Sequence, residues 1–434
     1  MIRLKEKIGN KSATIGIVGL GYVGLPLAIA FAEAGFGVKG FDIQRKRVDA
    51  VNQGQSYIAD VSAERLQAVV ANSLLEATTE QSRLSETDVI CICVPTPLTK
   101  TKDPDLSYVI HESEVISKYL KLGQLVILES TTYPSTTREV VLPILERSGL
   151  KGGSDFYLTF SPERVDPGNK NYHIRNTPKV VGGIDLRSTE LASLLYHQIA
   201  EVVVPVSCPE VAEMTKIFEN VFRSVNIALV NELAQLCERM DISVWEVIDA
   251  ASSKPFGYMP FYPGPGIGGH CIPLDPYYLA NKAREHDFHT RFIELAAEIN
   301  ERMPYHVVSG IMEVLNARGK SLKGAKVLVL GITYKKDTSD IRESPSLKII
   351  QLLQEREAKV SYNDPYILNI QFPTGNLTSM ELTEKSLSSV DCVVIATDHS
   401  CYNVNEVIAH SKLIFDTRGV TRQLKSNNIV RLGE

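Results

Sequence analysis

The spacing of apolar positions divides the chain into three textures. Residues 14–18 form a continuous apolar run of strand length, followed by a glycine turn and by residues 26–34, where Leu27, Ile29, Ala30 and Phe31 suit a helix. Residues 38–41 return as a strand. Further short runs at 89–94, 125–128 and 157–160 alternate with helix-like segments, the pattern of parallel βαβ units, so the first 200 residues or so read as an open α/β domain. After Pro209 there is no proline or glycine through Asp241, and Val211, Met214, Ile217, Phe218, Val221, Val225, Ala228 and Leu229 recur at helical spacing, which predicts one long helix. A second helical stretch starts near Ser243, a proline- and glycine-dense loop covers 254–276, and helical text resumes at Tyr277. Strand and helix texture restarts at Lys326: strands at 327–330, 358–362, 392–396 and 413–415, with a helix at 346–355.

The fold class expected is therefore α/β: two doubly wound Rossmann-like domains joined by a long central helix and a helical middle domain. The boundaries expected are 1–205, 206–315 and 316–434. A chain of 434 residues fits this, because single domains commonly run about 100–200 residues.

A formal charge of -5 argues against a basic nucleic-acid binder. No apolar stretch approaches the roughly 20 residues needed to span a bilayer. The lysine-bearing N-terminus lacks the cleavage pattern of a signal peptide, so a cytoplasmic location is expected. Seven scattered cysteines without a C-x-x-C pair argue against a disulfide framework and against a structural zinc site.

Gly19-Leu20-Gly21-Tyr22-Val23-Gly24 stands between a predicted strand and a predicted helix, the context a dinucleotide-binding turn requires. The glycines let backbone N–H groups approach a pyrophosphate at a helix N-terminus. Asp42, at the end of the second strand, supplies a carboxylate for ribose hydroxyls and would repel a 2′-phosphate, which favours NAD over NADP. Arg47 follows closely and keeps NADP open, although a solvated helix residue is its simpler reading. Thr96 and Thr132 lie in segments at the ends of later strands, where a cofactor would lie.

Pro263-Gly264-Pro265-Gly266-Ile267-Gly268-Gly269-His270-Cys271 is too glycine-rich for the interior of an element, and its backbone can wrap an anion. It ends on Cys271. Asp275 follows four residues later, close to the start of the next helix, a position that makes a thiolate more available. His270 reads as loop structure or a substrate contact.

These segments, together with Ser130-Thr131-Thr132-Tyr133-Pro134, Phe160-Ser161-Pro162-Glu163-Arg164, Glu213-Met214-Thr215-Lys216-Ile217-Phe218-Glu219-Asn220, Ile272-Pro273-Leu274-Asp275, Lys335-Lys336-Asp337 and Asp340-Ile341-Arg342-Glu343-Ser344, resemble the UDP-glucose/GDP-mannose dehydrogenase family. The resemblance implies an NAD-binding domain, a long dimerising helix and a C-terminal domain that holds UDP. It implies Cys271 as nucleophile, with Asp275, Lys216, Asn220 and Glu163 in the active site and Thr132 beside the catalytic water. Lys335 and Arg418 resemble substrate ligands, and Arg342 resembles a residue reaching the cofactor pyrophosphate. Arg164, Tyr262, Gly266 and Gly268 join Glu163, Lys216 and Asn220 as expected substrate contacts, while Tyr22 and Val23 join the glycines at the cofactor. No metal is expected.

The implied chemistry is a four-electron oxidation of a sugar CH2OH to a carboxylate through a thiohemiacetal and a thioester on Cys271. Histidine before the cysteine and the text after Ser161-Pro162-Glu163 resemble the branch acting on UDP-N-acetylhexosamines, with UDP-N-acetylglucosamine first, and UDP-N-acetylgalactosamine or UDP-glucose as alternatives. Supply to a capsule, O-antigen or related surface polysaccharide, and a homodimer or larger homo-oligomer, are further implications of the resemblance. Two other readings remain open at this point: a two-electron hydroxy-acid or 6-phosphogluconate dehydrogenase, which needs no nucleophilic cysteine, and a non-catalytic NAD-binding protein.

Overall fold

The computed structural model describes residues 1–58, 61–99, 103–165, 169, 171–269, 272 and 275–434. It divides into two compact units, the first made of Met1–Glu219 with Tyr277–Phe288, the second of Asn220–Pro276 with His289–Glu434.

The first unit is built on an eight-stranded sheet. Its strands are β1 (Thr14–Val18), β2 (Gly37–Phe41), β3 (Leu75–Thr78), β4 (Val89–Ile92), β5 (Leu125–Leu128), β6 (Tyr157–Phe160), β7 (Lys179–Gly183) and β8 (Val203–Pro205), in the order β3-β2-β1-β4-β5-β6-β7-β8. All neighbours run parallel except β6 and β7. The reason β4 reads as an unbroken apolar run is that both faces are covered: Val89 and Cys91 enter one core cluster, Ile90 and Ile92 the other. The helix Leu186–Tyr196 closes the first face, and the helix Ser107–Tyr119 supplies Val109, Val115 and Ile116 to the second. The lysine-bearing N-terminus forms the helix Ile2–Gly9; Leu4 and Ile8, one turn apart, are buried in the first cluster.

The second unit holds a five-stranded parallel sheet, β10-β9-β13-β14-β15, where β9 is Lys326–Leu330, β10 Lys359–Asn363, β13 Cys392–Ile395, β14 Ile414–Asp416 and β15 Ile429–Arg431. A hairpin of β11 (Asn369–Phe372) and β12 (Gly375–Thr378) forms a separate two-stranded sheet whose Phe372 enters the same core as β9. The helix Arg291–Asn316 packs Met303, Val307, Ile311 and Leu315 into the same core as Val327, Val329, Ile349 and Leu353. Two doubly wound sheets with long helices are the fold class the sequence predicts. The helix Pro209–Met240 spans the run without proline or glycine, and Ser243 caps the next helix, Val244–Ser252, through the Glu246 amide. No helix among the described residues is long and apolar enough to cross a membrane.

Asp364 organises the carboxyl end of the second sheet. Its Oδ2 accepts from the Ile332 amide at 2.7 Å and from the Thr333 amide at 3.3 Å, and its Oδ1 accepts from the amides of Tyr366 and Ile367. His399 Nδ1 accepts from the Asp337 amide, so the ring hydrogen sits on Nε2, 3.1 Å from Asp364 Oδ2. Burial would raise the Asp364 carboxyl, but the hydrogen bonds from His399, Ile332 and Tyr366 outweigh it and hold it below the usual range. Asp364→Ala is expected to lower the stability of the second unit by about 3 kcal/mol or more. Trp245, the only tryptophan and buried in this unit, reports it by fluorescence in a urea titration. Because the folded pKa is depressed, the contribution is present above the ordinary carboxylate range and lost as pH falls through the depressed value. The variant should therefore lose part of the wild-type acid sensitivity, and a midpoint equal to wild type at neutral pH would refute the assignment.

Candidate functional site

The strand order of the first sheet reverses between β1 and β4, and open sheets of this kind bind ligands beyond the carboxyl ends of the strands at such a reversal. Gly19 follows β1 with φ +91°, and a Cβ there would stand 2.7 Å from the Cys93 carbonyl oxygen; a Cβ on Gly24 would stand 1.8 Å from the Gly19 oxygen. By contrast, no atom of the described residues lies within 4 Å of where a Gly21 Cβ would be. The helix Gly24–Glu33 starts at once, and its N-cap, Val23, makes no side-chain capping bond. Tight packing behind, open space in front and uncapped helix amides fit a pyrophosphate. Tyr22 is half exposed beside the turn.

Asp42 is 8% exposed at the end of β2, its Oδ2 accepting from the Leu20 amide at 3.0 Å and its Oδ1 from the Gln44 amide at 2.8 Å. Arg47 pairs with Asp42 at 3.3 Å and lies over the Tyr57 ring, so it is tied to the turn and not simply solvated. Tyr57, which sequence reasoning passed over, donates to the Leu20 carbonyl at 2.7 Å; burial first, then the Asp42 charge, pushes its hydroxyl up to about 12. Thr96 is buried, and its carbonyl accepts from the Tyr278 hydroxyl. Thr132 is wholly buried, and its Oγ1 has no hydrogen-bond partner among the described residues. Buried hydroxyls are almost always bonded, so this one has the capacity to bond a water or a ligand.

Glu163 follows β6. Its Oε1 accepts from the amides of Arg164 and Val165, each at 2.7 Å, and its Oε2 faces Lys179 Nζ at 3.4 Å. Burial raises the Glu163 carboxyl, yet Lys179, the two amides and Lys216 together bring it below its ordinary value, so it is a carboxylate at neutral pH. Lys216, half-buried on the long helix, thus acts electrostatically on Glu163. The Arg164 guanidinium is engaged by the Pro178 carbonyl at 2.7 Å and by Glu219 at 2.5 Å, and its Nε is buried without a partner among the described residues. Glu213 lies in the same helical segment as Lys216 and Asn220, and the resemblance implies no role for it. It accepts from the amides of Ser135 and Thr137 and from the Thr137 hydroxyl, anchoring the long helix to that turn. Burial nonetheless pushes its carboxyl up to about 7.

In the second unit, Asn220 Nδ2 donates to Asp275 Oδ2 at 2.5 Å, both side chains being buried. Asp275 opens the helix Asp275–Arg284. The glycine loop is fastened from behind by amide side chains that sequence reasoning did not single out. Asn231 Oδ1 accepts from the Gly264 amide, Asn231 Nδ2 donates to Asn300 Oδ1, and Asn300 Nδ2 donates to the Ser224 carbonyl. A Cβ on Gly268 would stand 2.5 Å from Tyr334 Cβ and 2.9 Å from the Glu343 oxygen, and the Gly269 amide donates to the Arg342 carbonyl. Gly266, at φ +128°, lies against the Asn300 carbonyl. Tyr262 stacks on Trp245, donates to Asp249 and lies under Arg422.

Arg418 donates from Nε to the Ala396 carbonyl at 2.7 Å, and its Nη1 would be 3.2 Å from a Cβ on Gly264, so it borders the loop. Lys335 stands in the turn after β9, where its carbonyl accepts from the hydroxyls of Thr333 and Thr338. The Arg342 side chain is paired with Asp340. Of the sequence-predicted residues of this unit, Tyr262, Gly266 and Gly268 belong to the loop, Arg418 and the Arg342 backbone border it, and Asn220 meets Asp275. Cys271 and His270 lie outside the described residues. Of the six described cysteines, all free thiols, Cys91, Cys93, Cys237 and Cys392 are buried, Cys208 is intermediate and Cys401 is exposed.

The chain matches the UDP-glucose/GDP-mannose dehydrogenase family in its NAD binding domain over residues 13–200, its central domain over 210–302 and its UDP binding domain over 328–423. It is 39% identical to a UDP-N-acetyl-D-glucosamine 6-dehydrogenase of Pseudomonas aeruginosa, over 96% of this chain and 99% of the relative. It is 37% identical to a UDP-N-acetyl-D-mannosamine dehydrogenase of Pyrococcus horikoshii, over 94% of this chain and 96% of the relative. Among solved structures, a UDP-D-ManNAc dehydrogenase from Pyrococcus horikoshii superposes with a TM-score of 0.88 at 34% identity, covering 97% of this chain and 99% of that one. The chain belongs to the UDP-glucose/GDP-mannose dehydrogenase family and is an NAD-dependent oxidoreductase.

Proposed function

We propose that this chain oxidises the C6 hydroxymethyl group of a UDP-N-acetylhexosamine, UDP-N-acetylglucosamine first, to the carboxylate, with Cys271 as covalent nucleophile. The observation that carries the reading is the Asn220–Asp275 hydrogen bond, which joins two of the residues implied by the family resemblance at the start of the helix that follows Cys271 in sequence.

NAD, when bound, accepts one hydride in each of two oxidations. In the first, C6 loses a hydride and its hydroxyl a proton, giving an aldehyde, while Lys216 stabilises the developing alkoxide. The Cys271 sulfur then adds to the aldehyde carbon, and the thiohemiacetal loses a second hydride and its hydroxyl proton to become a thioester. Water adds, the C–S bond breaks, and the carboxylate leaves as the thiol is restored. Glu163, held anionic, and Asp275, held by Asn220, are assigned to ordering and deprotonating that water, with the unbonded Thr132 hydroxyl as a further partner. Arg418 and Lys335 are assigned to the UDP group, with Tyr262, Gly266 and Gly268 of the loop and Arg164, and Arg342 to the cofactor pyrophosphate. The domain division at 205/206 and 315/316 belongs to the same reading, as does supply of a surface polysaccharide.

The relatives add a sugar that the sequence reading had not weighed: N-acetylmannosamine differs from N-acetylglucosamine at C2, remote from the reacting C6. Steady-state kcat/KM with UDP-N-acetylglucosamine, UDP-N-acetylmannosamine, UDP-N-acetylgalactosamine and UDP-glucose, each supplied alone, should be highest for the first. A tenfold preference for another sugar would displace the substrate assignment, and no NADH from any of them would contradict the reading. Exposed Phe218, Phe222, Leu229 and Leu236 on the long helix support self-association as at least a dimer. A monomer at micromolar concentration in sedimentation velocity would count against it.

A further inference from the structure

Lys179 opens β7 with its side chain 5% exposed, a costly place for an ammonium group. Its first partner is Glu129, just beyond β5, at 2.7 Å, and Glu129 is itself wholly buried and accepts from the Tyr196 hydroxyl. The ammonium also lies 5.0 Å from the centre of the Tyr196 ring. One carboxylate is enough to neutralise one buried lysine, yet Glu163 Oε2 stands 3.4 Å from the same nitrogen. Two carboxylates on separate strand ends therefore share one cation. Among the described residues, the other titratable groups facing this cluster are the thiols of Cys91 and Cys93, which burial keeps neutral, the Tyr196 hydroxyl, also kept neutral by burial, and Lys216 on the side of Glu163.

We propose that Lys179 is a positioning residue for the reaction: shared between Glu129 and Glu163, it fixes the place and the charge of the Glu163 carboxylate that handles the water. This rests on the role assigned to Glu163 above. Removing the cation leaves two buried carboxyls without their shared counter-charge: Glu129, which burial already holds above the usual carboxylate range, protonates more readily, and Glu163 loses the largest influence that holds it down. Removing the competing carboxylate instead leaves Lys179 wholly to Glu163. The two changes therefore act in opposite directions on the same group, which a scaffold residue would not produce.

The test is the pH dependence of kcat for NADH formation by the full chain with saturating NAD and UDP-sugar. Lys179→Met should move the acid limb of the profile upward by about one to three pH units, the range expected for losing an opposite charge within a few ångströms. Lys179→Arg, which keeps the charge, should leave the limb near its wild-type position. Glu129→Gln should move it downward, and this variant together with Lys179→Arg decides the matter if Lys179→Met fails to fold. If Glu163→Gln removes the limb while Glu129→Gln and the Lys179 variants leave its position unchanged, lowering the rate at all pH values alike, Glu163 keeps its role and the proposal for Lys179 is wrong. If Glu163→Gln leaves rate and profile intact, the assignment of Glu163 fails, and the proposal falls with it.

Discussion

Cys271→Ser is expected to lower steady-state NADH formation by roughly three orders of magnitude or more, the scale on which loss of a covalent nucleophile acts. The reason lies in the aldehyde formed midway. A thiolate is available near neutral pH and adds readily to an aldehyde, whereas a serine hydroxyl needs a strong base to do the same. The first hydride transfer does not involve the sulfur, so the variant should still bind NAD and can release at most a small burst before it stalls. A progress curve at 340 nm separates the possibilities. Turnover by the serine variant within tenfold of wild type would remove Cys271 from the chemistry and favour a simple two-electron dehydrogenase.

Lys216→Met carries the second-largest expected loss, about 10²- to 10³-fold in kcat with KM much less affected, as for removal of one preorganised group from an oxyanion site. Negative oxygen develops at C6 in the alkoxide and again in the tetrahedral species of thioester hydrolysis, so a cation there acts on transition states more than on bound substrate. Because Lys216 also helps depress the Glu163 carboxyl, its loss should raise the acid limb of the kcat profile. Lys216→Arg should recover part of the rate, since charge survives while placement changes. An unchanged kcat with a raised KM would reassign Lys216 to uniform substrate binding.

The parts of the fold legible in the sequence were those whose apolar pattern answers to one cause. Strand β4, buried on both faces, reads as a plain apolar run, and the helix Pro209–Met240 reads from its unbroken 3.6-residue spacing. The helix Ile2–Gly9 did not, because only Leu4 and Ile8 are buried and charged residues occupy most of the rest. Strand β7 escaped for a related reason: Lys179 and two glycines interrupt it, although all five residues are buried. Much of the candidate site was visible because glycine turns and adjacent acids or thiols are local in sequence. The supporting groups were not. Glu129 and Lys179, or Asn231 and Asn300, are tens of residues apart, and no local pattern signals that a lone glutamate or asparagine is buried against a distant partner. An isolated Lys179 before a valine pair carries no sign that two carboxylates will converge on it. Asp364 belongs with these, since its five partners come from both sides of the chain.

The central claim is oxidation of one carbon through two hydride transfers with the aldehyde held covalently. It is tested most directly by counting NADH formed per UDP-sugar consumed, at 340 nm, with limiting UDP-N-acetylglucosamine and excess NAD. The account predicts a ratio near two, the value required for alcohol to carboxylate. A ratio near one, with aldehyde accumulating, would contradict it and leave a two-electron dehydrogenase in its place.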